Sequence, residues 1–299
     1  MIEPLALKYK LNNQIEGVLV VQPGKENPPM YDGADKLLFI VSNGNLRNCK
    51  SIIHYIKDGK RIQERWINIE EMKVFLFTNS YIEIRNSLLK GEIILDRYGN
   101  LGGLRQTLLD LPEQIREWQL FVEFAQFLNE YVQGKRYSLQ GQQMDSYQHI
   151  LEALRHWAQI VLIEEGEHPD LGIWGRIKQV NPGVYKLYEE LTMSKETIKQ
   201  RVELVLLACE FSVMSKMKKC CKPLLALMEE RQETWSMTEL QQLTDLQEVR
   251  NLIPIVVHKL VKRGLIEEVF VPRDEDLTEL LIRYVRTADL DDSAKGKRI

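Results

Sequence analysis

The first hundred residues alternate short apolar runs with polar turns, a pattern that predicts a small β-sheet. The runs 15–21 and 36–41 are rich in β-branched residues and are bounded by Pro, Gly and Asn, as buried strands often are. Two further runs flank Asp58-Gly59, a dipeptide that favours positive φ and therefore a tight hairpin turn. We therefore predict four strands in this part of the chain.

The stretch 70–78 fits two structures, because Val74-Phe75-Leu76-Phe77 would suit a strand whereas Met72, Phe75 and Leu76 share a helical face. We predict a helix here. Asn79-Ser80 can cap a following helix that ends at Gly91, and Glu92–Asp96 is typical of one more strand.

The middle of the chain changes to helical periodicity. Apolar residues recur at helical spacing from Pro112 to Gly134 and again from Met144 to Gly166. Asn181-Pro182 opens a third helix, and residues 194–219 supply a long fourth one. This pattern predicts an antiparallel bundle with apolar faces turned inward.

After Pro223 the elements become short. Ser236–Glu239 has the spacing of a capping box, a helix ends at Gly264, and the strand that follows stops at Pro272. Three short helices and a strand predict a winged helix-turn-helix. We therefore expect an α+β fold with a mixed N-terminal sheet and helices, over the following divisions: an α/β domain at 1–110, a helical bundle at 111–221, a winged-helix-like domain at 222–286 and a loose tail at 287–299.

Composition narrows the class of protein. Hydrophobic residues make up 44% of the 299 residues and charged residues 28%, the balance of a folded soluble protein. No apolar run approaches the roughly 20 residues of a membrane-spanning helix, and the start lacks a signal pattern, so we expect a cytoplasmic protein without membrane contact. The four cysteines are too scattered for a disulfide framework or structural zinc. A net charge of -3 gives no overall attraction to nucleic acid.

The order of these elements, including Gly91–Arg97 before an all-helical segment, resembles the kanamycin-type nucleotidyltransferases. Within that group the chain resembles the YgxA-like family of nucleotidyltransferase-like proteins over nearly its whole length. The resemblance rests on four segments: Tyr147-x-x-Ile150-x-x-Ala153-Leu154-x-His156, Glu164-x-Gly166-x-His168-Pro169, Tyr185-Lys186-Leu187-Tyr188-Glu189-Glu190-Leu191 and Leu260-Val261-x-x-Gly264-Leu265-Ile266.

The resemblance implies that an active relative ends its first strand in Gly-Ser, whose backbone amides hold a nucleoside triphosphate. Here the matching turn is Gln22-Pro23-Gly24-Lys25, and Pro23 has no N–H to donate. If a nucleotide binds, Gln22, Gly24 and Lys25 are the residues that the resemblance places beside it. The Gly24-Lys25 pair is not a P-loop, because the preceding glycine and the following Ser or Thr are missing.

The resemblance also implies an Asp-x-Asp pair at the second strand, since residues i and i+2 share a face and can hold two Mg²⁺ ions. Asp35 matches one position of the pair, whereas Gly33 occupies the other and Asp32 is one residue out of register. A third acid would be Glu64 or Asp96. We therefore expect a vestigial site that holds no pair of divalent cations between Asp32 and Asp35, with Mg²⁺ required only if the protein is active.

Other polar motifs have simpler interpretations. His149 and His156 lie two helical turns apart without an acidic or cysteine partner at ligand spacing, so histidines at the edge of the core are favoured over metal ligands. The bundle also lacks an Arg-x4-6-His ribonuclease motif.

A basic group marks the presumed last helix of the C-terminal part. It comprises Arg250, His258, Lys259, Lys262 and Arg263, where a recognition helix would meet DNA. Cations in a last helical turn also suit the helix dipole, and winged helices often pack only against protein.

Three functions remain open. The first is a degenerate nucleotidyltransferase that binds a nucleotide or other small molecule, or a partner protein. The second is an active enzyme that moves a nucleoside monophosphate to a hydroxyl group, and the third is a DNA-binding regulator. The exposed edges of a small N-terminal sheet, together with the resemblance to dimeric kanamycin-type enzymes, predict a homodimer.

Overall fold

The computed structural model describes most of the chain in nine segments: 9–22, 33–43, 52–75, 82–110, 112–167, 172–230, 233–243, 249–273 and 279–287. The chain divides into two compact units, residues 1–115 and residues 116–299. Strands and helices mix in the first unit, and helices predominate in the second. The chain is therefore an α+β protein, as the sequence predicts.

The first unit contains a five-stranded mixed sheet in the order β3-β4-β2-β1-β5. Its strands are β1 (Ile15–Val21), β2 (Lys36–Ser42), β3 (Ile52–Lys57), β4 (Lys60–Asn68) and β5 (Glu92–Asp96). Strands β2 and β4 run parallel, and every other pairing is antiparallel. The helices α1 (Ile69–Phe75), α2 (Ile82–Lys90) and α3 (Asn100–Asp110) lie in the described part of this unit.

The two central strands, β1 and β2, are buried on both faces because alternate residues enter two different apolar layers. Leu19, Leu37 and Phe39 belong to a layer that also contains Leu88 of α2 and Leu101 of α3. The residues between them form the second layer: Val18, Val20, Leu38 and Ile40, with Tyr9, Ile15 and Ile62. Burial on both faces explains why these strands are nearly continuous apolar runs.

The predicted hairpin turn is confirmed, and the helix predicted for 70–78 is confirmed as far as Phe75, since residues 76–78 lie outside the described residues. Asp58 and Gly59 have φ values of 52° and 72°, the left-handed pair that a two-residue hairpin of type I′ requires. Ile69–Phe75 is helical rather than extended. Helix α3 was not predicted, since Gly102 and Gly103 obscure its helical pattern.

The second unit is built mainly of helices. They are α4 (Glu113–Leu139), α5 (Gln143–Glu164), α6 (Ile173–Val180), α7 (Pro182–Met193), α8 (Ile198–Ser212), α9 (Met217–Cys220), α10 (Lys222–Glu229), α11 (Met237–Leu243) and α12 (Ile253–Lys262). The short strands β6 (Ile266–Pro272) and β7 (Leu280–Arg286) form an antiparallel hairpin.

Two helix predictions in this unit are wrong: one helix extends beyond its predicted end, and another is interrupted. Helix α4 continues through Gly134 to Leu139, because this glycine serves packing: a Cβ there would lie 2.5 Å from Cδ1 of Ile150. The predicted fourth helix is interrupted at Val213, where a 3₁₀ turn, Met214–Lys216, separates α8 from α9. Helix α7 begins as predicted, with the Asn181 side chain accepting a hydrogen bond from the Val184 N–H at 3.1 Å.

The C-terminal elements share one apolar core with the helices before them. Leu224, Val256 and Leu260 belong to the same buried cluster as Phe124 and Leu154. Helix α11 begins with the predicted capping box, in which the Ser236 N–H donates to Glu239 at 2.7 Å and the Glu239 N–H donates to the Ser236 hydroxyl at 3.2 Å. A single bridge joins Trp235 to Tyr284 of β7.

None of the described helices combines the length and the apolar character needed to cross a bilayer.

Candidate functional site

Asp35 is the acid that the sequence matches to the nucleotidyltransferase pair, and it lies exposed immediately before β2. Its Oδ2 accepts a hydrogen bond of 2.8 Å from the backbone N–H of Arg61. Its own backbone N–H donates to the Arg61 carbonyl, also at 2.8 Å. These two hydrogen bonds therefore anchor the start of β2 to β4.

Gly33 occupies the position where the second acid of the pair would stand. Its φ is +93°, a conformation that residues with a side chain rarely adopt, and a Cβ there would lie 3.1 Å from Nη1 of Arg61. The chain is therefore not extended at this point, so residues 33 and 35 do not share a strand face. An aspartate at position 33 would be strained.

Glu64, one candidate for the third acid, is 3% exposed on β4. Its Oε1 accepts hydrogen bonds from the hydroxyls of Tyr9 and Tyr55, the latter at 2.8 Å. Burial and the bond to Glu64 raise the pKa of both tyrosines, that of Tyr55 to about 12, so both hydroxyls stay protonated donors. Glu64 is therefore held inside the sheet by two tyrosines.

Asp96, the other candidate, ends β5. Its carboxylate accepts hydrogen bonds from the backbone N–H groups of Leu101 at 3.3 Å and Gly102 at 2.8 Å. These N–H groups lie in the first turn of α3, which has no earlier carbonyl to bind them. Asp96 therefore caps α3, as carboxylates at helix N-termini commonly do.

The three acids lie at different places in the sheet. Asp96 is paired with Gly17, whereas Asp35 precedes β2 beyond the other end of β1, about 20 Å further along the strand direction. Glu64 is paired with Leu38 inside the sheet, three positions along the chain from Asp35, which lies outside β2. Among the described residues, no group of three His, Cys, Asp or Glu side chains is arranged to hold a metal ion.

Only part of the predicted nucleotide-binding turn can be located. Gln22 is exposed just beyond β1, at the same end of the β1–β2 pair as Asp35. Gly24, Lys25 and Asp32 lie outside the described residues. The proximity of Gln22 and Asp35 follows from antiparallel pairing, which sets Val21 opposite Leu37.

Family models match this chain in two adjoining segments. Residues 1–116 match the nucleotidyltransferase-like model, and residues 117–216 match the YgxA-like substrate binding domain. The chain belongs to the YgxA-like nucleotidyltransferase-like family.

Two relatives extend this YgxA-like assignment beyond the matched segments. The uncharacterized protein YgxA of Bacillus subtilis (strain 168) is 26% identical over 266 residues, which cover 89% of this chain and 90% of that protein. A crystal structure of a nucleotidyltransferase-like protein from Exiguobacterium sibiricum 255-15 superimposes with a TM-score of 0.84 at 27% identity. That likeness covers 96% of this chain and 98% of the other.

The YgxA-like substrate binding domain contains two carboxylate–imidazole pairs between α4 and α5. Nδ1 of His156 lies 2.7 Å from Oε2 of Glu123, and Nδ1 of His149 lies 2.7 Å from Oε2 of Glu130. The Glu123 side chain is only 1% exposed. The histidines lie at the edge of the core, as the sequence predicts, but each has an acidic partner on the neighbouring helix, which the sequence interpretation missed.

The equal spacing of the two glutamates and of the two histidines could have revealed these pairs from the sequence. Glu123 and Glu130 are seven residues apart, as are His149 and His156, so two antiparallel helices bring both pairs together. The seven-residue separation also places the two histidines about 10 Å apart along the axis, too far for one metal ion.

Charge around His156 favours its protonated form. Burial lowers the pKa of His156, but the hydrogen bond and charge of Glu123, with the charges of Glu152 and Glu130, raise it above the ordinary value. The raised pKa favours the imidazolium form of His156 beside the buried Glu123 carboxylate.

The basic residues of the C-terminal part do not share one surface environment. His258, Lys262 and Arg263 are exposed, and Arg250 is exposed in the 3₁₀ turn before α12. Lys259 is half-buried. Burial lowers its pKa, and the neighbouring charges of Lys262 and Lys135 lower it further.

The hairpin beside these residues combines exposed apolar residues with acidic residues and with arginines that are paired with glutamates. Phe270 and Ile282 face each other across the hairpin and are 58% and 47% exposed. Glu267 and Glu268 are exposed on β6. A surface of this composition favours contact with protein over contact with phosphate.

The described cysteines are core residues. Cys209, Cys220 and Cys221 are free and buried, and burial raises the pKa of Cys209 to about 12. They are therefore unreactive thiols.

Proposed function

We propose that this protein binds a ligand on a nucleotidyltransferase scaffold and does not transfer nucleotides. The observation that carries the proposal is that Asp35, Glu64 and Asp96 each accept hydrogen bonds from the chain itself at separate positions of the sheet. A pair of Mg²⁺ ions needs carboxylates that converge from one face. Asp35 has no partner acid two positions before it, because that position is Gly33, which is bent out of the extended conformation.

The turn after β1, where a triphosphate would be held, supports the same proposal. Pro23 removes a backbone donor from the turn where the triphosphate would be held. What remains is a scaffold with a YgxA-like substrate binding domain, whose ligand we propose to be a nucleotide or another small molecule. Binding without transfer would make the protein a sensing or regulatory module.

A transfer assay tests this proposal. The protein is incubated with Mg²⁺, α-labelled nucleoside triphosphates and a deproteinised cell extract that supplies acceptor hydroxyls, and both labelled products and released pyrophosphate are measured. We expect neither signal above that of a protein-free control. Turnover that disappears in the variant Asp35→Asn would instead establish the active enzyme that uses Asp35, Asp32 and Mg²⁺.

We also propose that the C-terminal elements form a winged-helix unit that packs against protein. The order of α10, α11, α12 and the β6–β7 hairpin supports the winged-helix arrangement. The exposed apolar residues of the hairpin support a protein partner rather than a duplex, and the arginines Arg273, Arg283 and Arg286 are each paired with a glutamate.

Self-association is proposed through the edge of the N-terminal sheet. Strand β3 is an edge strand, and Ile52, Ile53 and Ile56 on it are 49%, 43% and 72% exposed. Exposed apolar edge strands pair readily with other chains. We propose that two copies join through this strand into a homodimer.

Light scattering at micromolar concentration is expected to give the dimer mass. The double variant Ile53→Lys and Ile56→Lys should give the monomer mass, because charged side chains block edge pairing. Leu281→Lys in the C-terminal hairpin serves as the control and should leave the dimer intact. A parent protein that scatters only as a monomer would contradict the proposal.

A further inference from the structure

Three aromatic side chains form a row on helices α6 and α7 of the YgxA-like substrate binding domain. The rings of Trp174 and Tyr188 are stacked, with their centroids 3.9 Å apart and their planes inclined by 17°. The Tyr185 ring lies 6.2 Å from the Tyr188 ring and is tilted by 40° against it. Direct ring contacts therefore join the two helices along this aromatic row.

The sequence of the two helices explains why the rings meet. Tyr185 and Tyr188 are spaced i and i+3, so they are neighbours on one face of α7. Only Asn181 separates α6 from α7, and its side chain accepts a hydrogen bond from the first turn of α7, next to Pro182. This tight corner brings Trp174 of α6 against the tyrosines of α7.

The aromatic row is only partly covered by the domain. Trp174, Tyr185 and Tyr188 pack against the apolar core, but each ring residue keeps an intermediate exposure. Aromatic residues that serve the core alone, such as Phe121 and Phe124 of α4, are fully buried. A partly exposed aromatic row offers flat, polarisable surface on which another planar ring can stack.

A cation lies at the Tyr185 end of the aromatic row. Nζ of Lys178 is 5.0 Å from the centroid of the Tyr185 ring. Lys178 is exposed and forms no ion pair with a described residue, whereas Arg176 on the same helix is paired with Glu167. The row therefore combines stacking surface with a positive charge that no described carboxylate compensates.

We propose that Trp174, Tyr185 and Tyr188 form a stacking site for the base of a nucleotide, and that Lys178 binds its phosphate. Every nucleobase is planar and can stack on aromatic side chains, and a lysine ammonium binds phosphate as a point charge. Because it names the ligand of the proposed binding function, the proposal rests on that function. The site lies on α6 and α7 and does not use the turn after β1.

Saturation-transfer NMR of the full chain with adenosine monophosphate tests the proposal, because this method detects the weak binding that a few stacked rings provide. Saturation should reach the base protons more strongly than the ribose protons, since the base lies against the aromatic row. Ribose 5-phosphate, which has no base, should receive little saturation. Absence of saturation on adenosine monophosphate with the folded parent would overturn the proposal.

Substitutions in the aromatic row identify the site. Trp174→Leu should weaken the binding of adenosine monophosphate about tenfold, the loss of one stacking contact. Lys178→Gln should weaken adenosine monophosphate and leave adenosine unchanged, because only the monophosphate carries a phosphate group. Trp118→Leu is the matched control and should bind as the parent does, since Trp118 is a partly buried tryptophan of α4 that packs against Phe121.

Circular dichroism melting of each variant separates lost binding from lost folding, and Tyr185→Leu replaces Trp174→Leu if the latter does not fold. Unchanged binding of adenosine monophosphate by a folded variant of the row would overturn the proposal while the proposed ligand-binding function stands. Equal losses of adenosine and adenosine monophosphate in Lys178→Gln would contradict the phosphate contact. Failure of the proposed function would appear elsewhere, as labelled product in the transfer assay.

Discussion

Replacement of Glu123 by glutamine is expected to lower the free energy of unfolding by about 1.5–3 kcal/mol below pH 6.5. A hydrogen bond to a charged group typically contributes this much to stability. Glu123 is 1% exposed, and its Oε2 lies 2.7 Å from Nδ1 of His156. Glutamine keeps the size and one acceptor oxygen, so the change removes charge with little loss of packing.

The pH dependence of that loss has a definite sign. His156 has a raised pKa in the folded protein, so its contribution to stability is fully present below its unfolded value of about 6.5 and is lost as the pH rises through the folded pKa. The difference between parent and Glu123→Gln should therefore be largest near pH 5.5 and should shrink by pH 8.5. Urea denaturation at both pH values measures it.

The pair formed by Glu130 and His149 serves as the control. Glu130 and His149 have the same separation of 2.7 Å, but their side chains are 19% and 30% exposed. Glu130→Gln should therefore cost less, since water screens the more exposed pair. An equal loss from both variants, or a loss from Glu123→Gln that grows at high pH, would contradict this account of His156.

The sequence predicts most of the fold because its local patterns agree with the final packing. The double burial of β1 and β2 produces the two unbroken apolar runs, and Asp58-Gly59 defines the hairpin that joins β3 to β4. Strand β7 was missed although it pairs with β6 along its whole length. Its sequence mixes Arg283 and Arg286 with apolar residues, and those arginines form ion pairs with Glu239 and Glu229.

The candidate site was harder to predict, since the sequence gives the residue types but not the backbone geometry or the hydrogen-bond partners of their side chains. Gly33 could be read from the sequence as a missing acid, but only its φ of +93° shows that the strand geometry is absent as well. Glu64 and Asp96 could not be ranked as third acid, because their partners, the hydroxyls of Tyr9 and Tyr55 and the first turn of α3, lie far away in sequence or in an unpredicted element.

Restoring the turn after β1 is expected to increase nucleoside triphosphate affinity about a hundredfold. The double variant Gln22→Gly and Pro23→Ser gives the turn the Gly-Ser sequence that the resemblance leads us to expect in active relatives. Serine supplies a backbone N–H and a hydroxyl where proline supplies neither. Each charge-assisted hydrogen bond contributes about 1.5–3 kcal/mol, and a tenfold change in affinity corresponds to about 1.4 kcal/mol.

Isothermal calorimetry of this double variant, with and without Mg²⁺, tests most directly whether the protein is a nucleotidyltransferase scaffold with a damaged triphosphate site. Gln22→Gly alone retains Pro23 and serves as the control that should gain little. We expect clear triphosphate binding by the double variant, with no comparable binding by the parent. If the double variant folds normally and binds triphosphate no better than the parent does, the turn is not the deciding defect, and the relationship to nucleotidyltransferases is one of fold only.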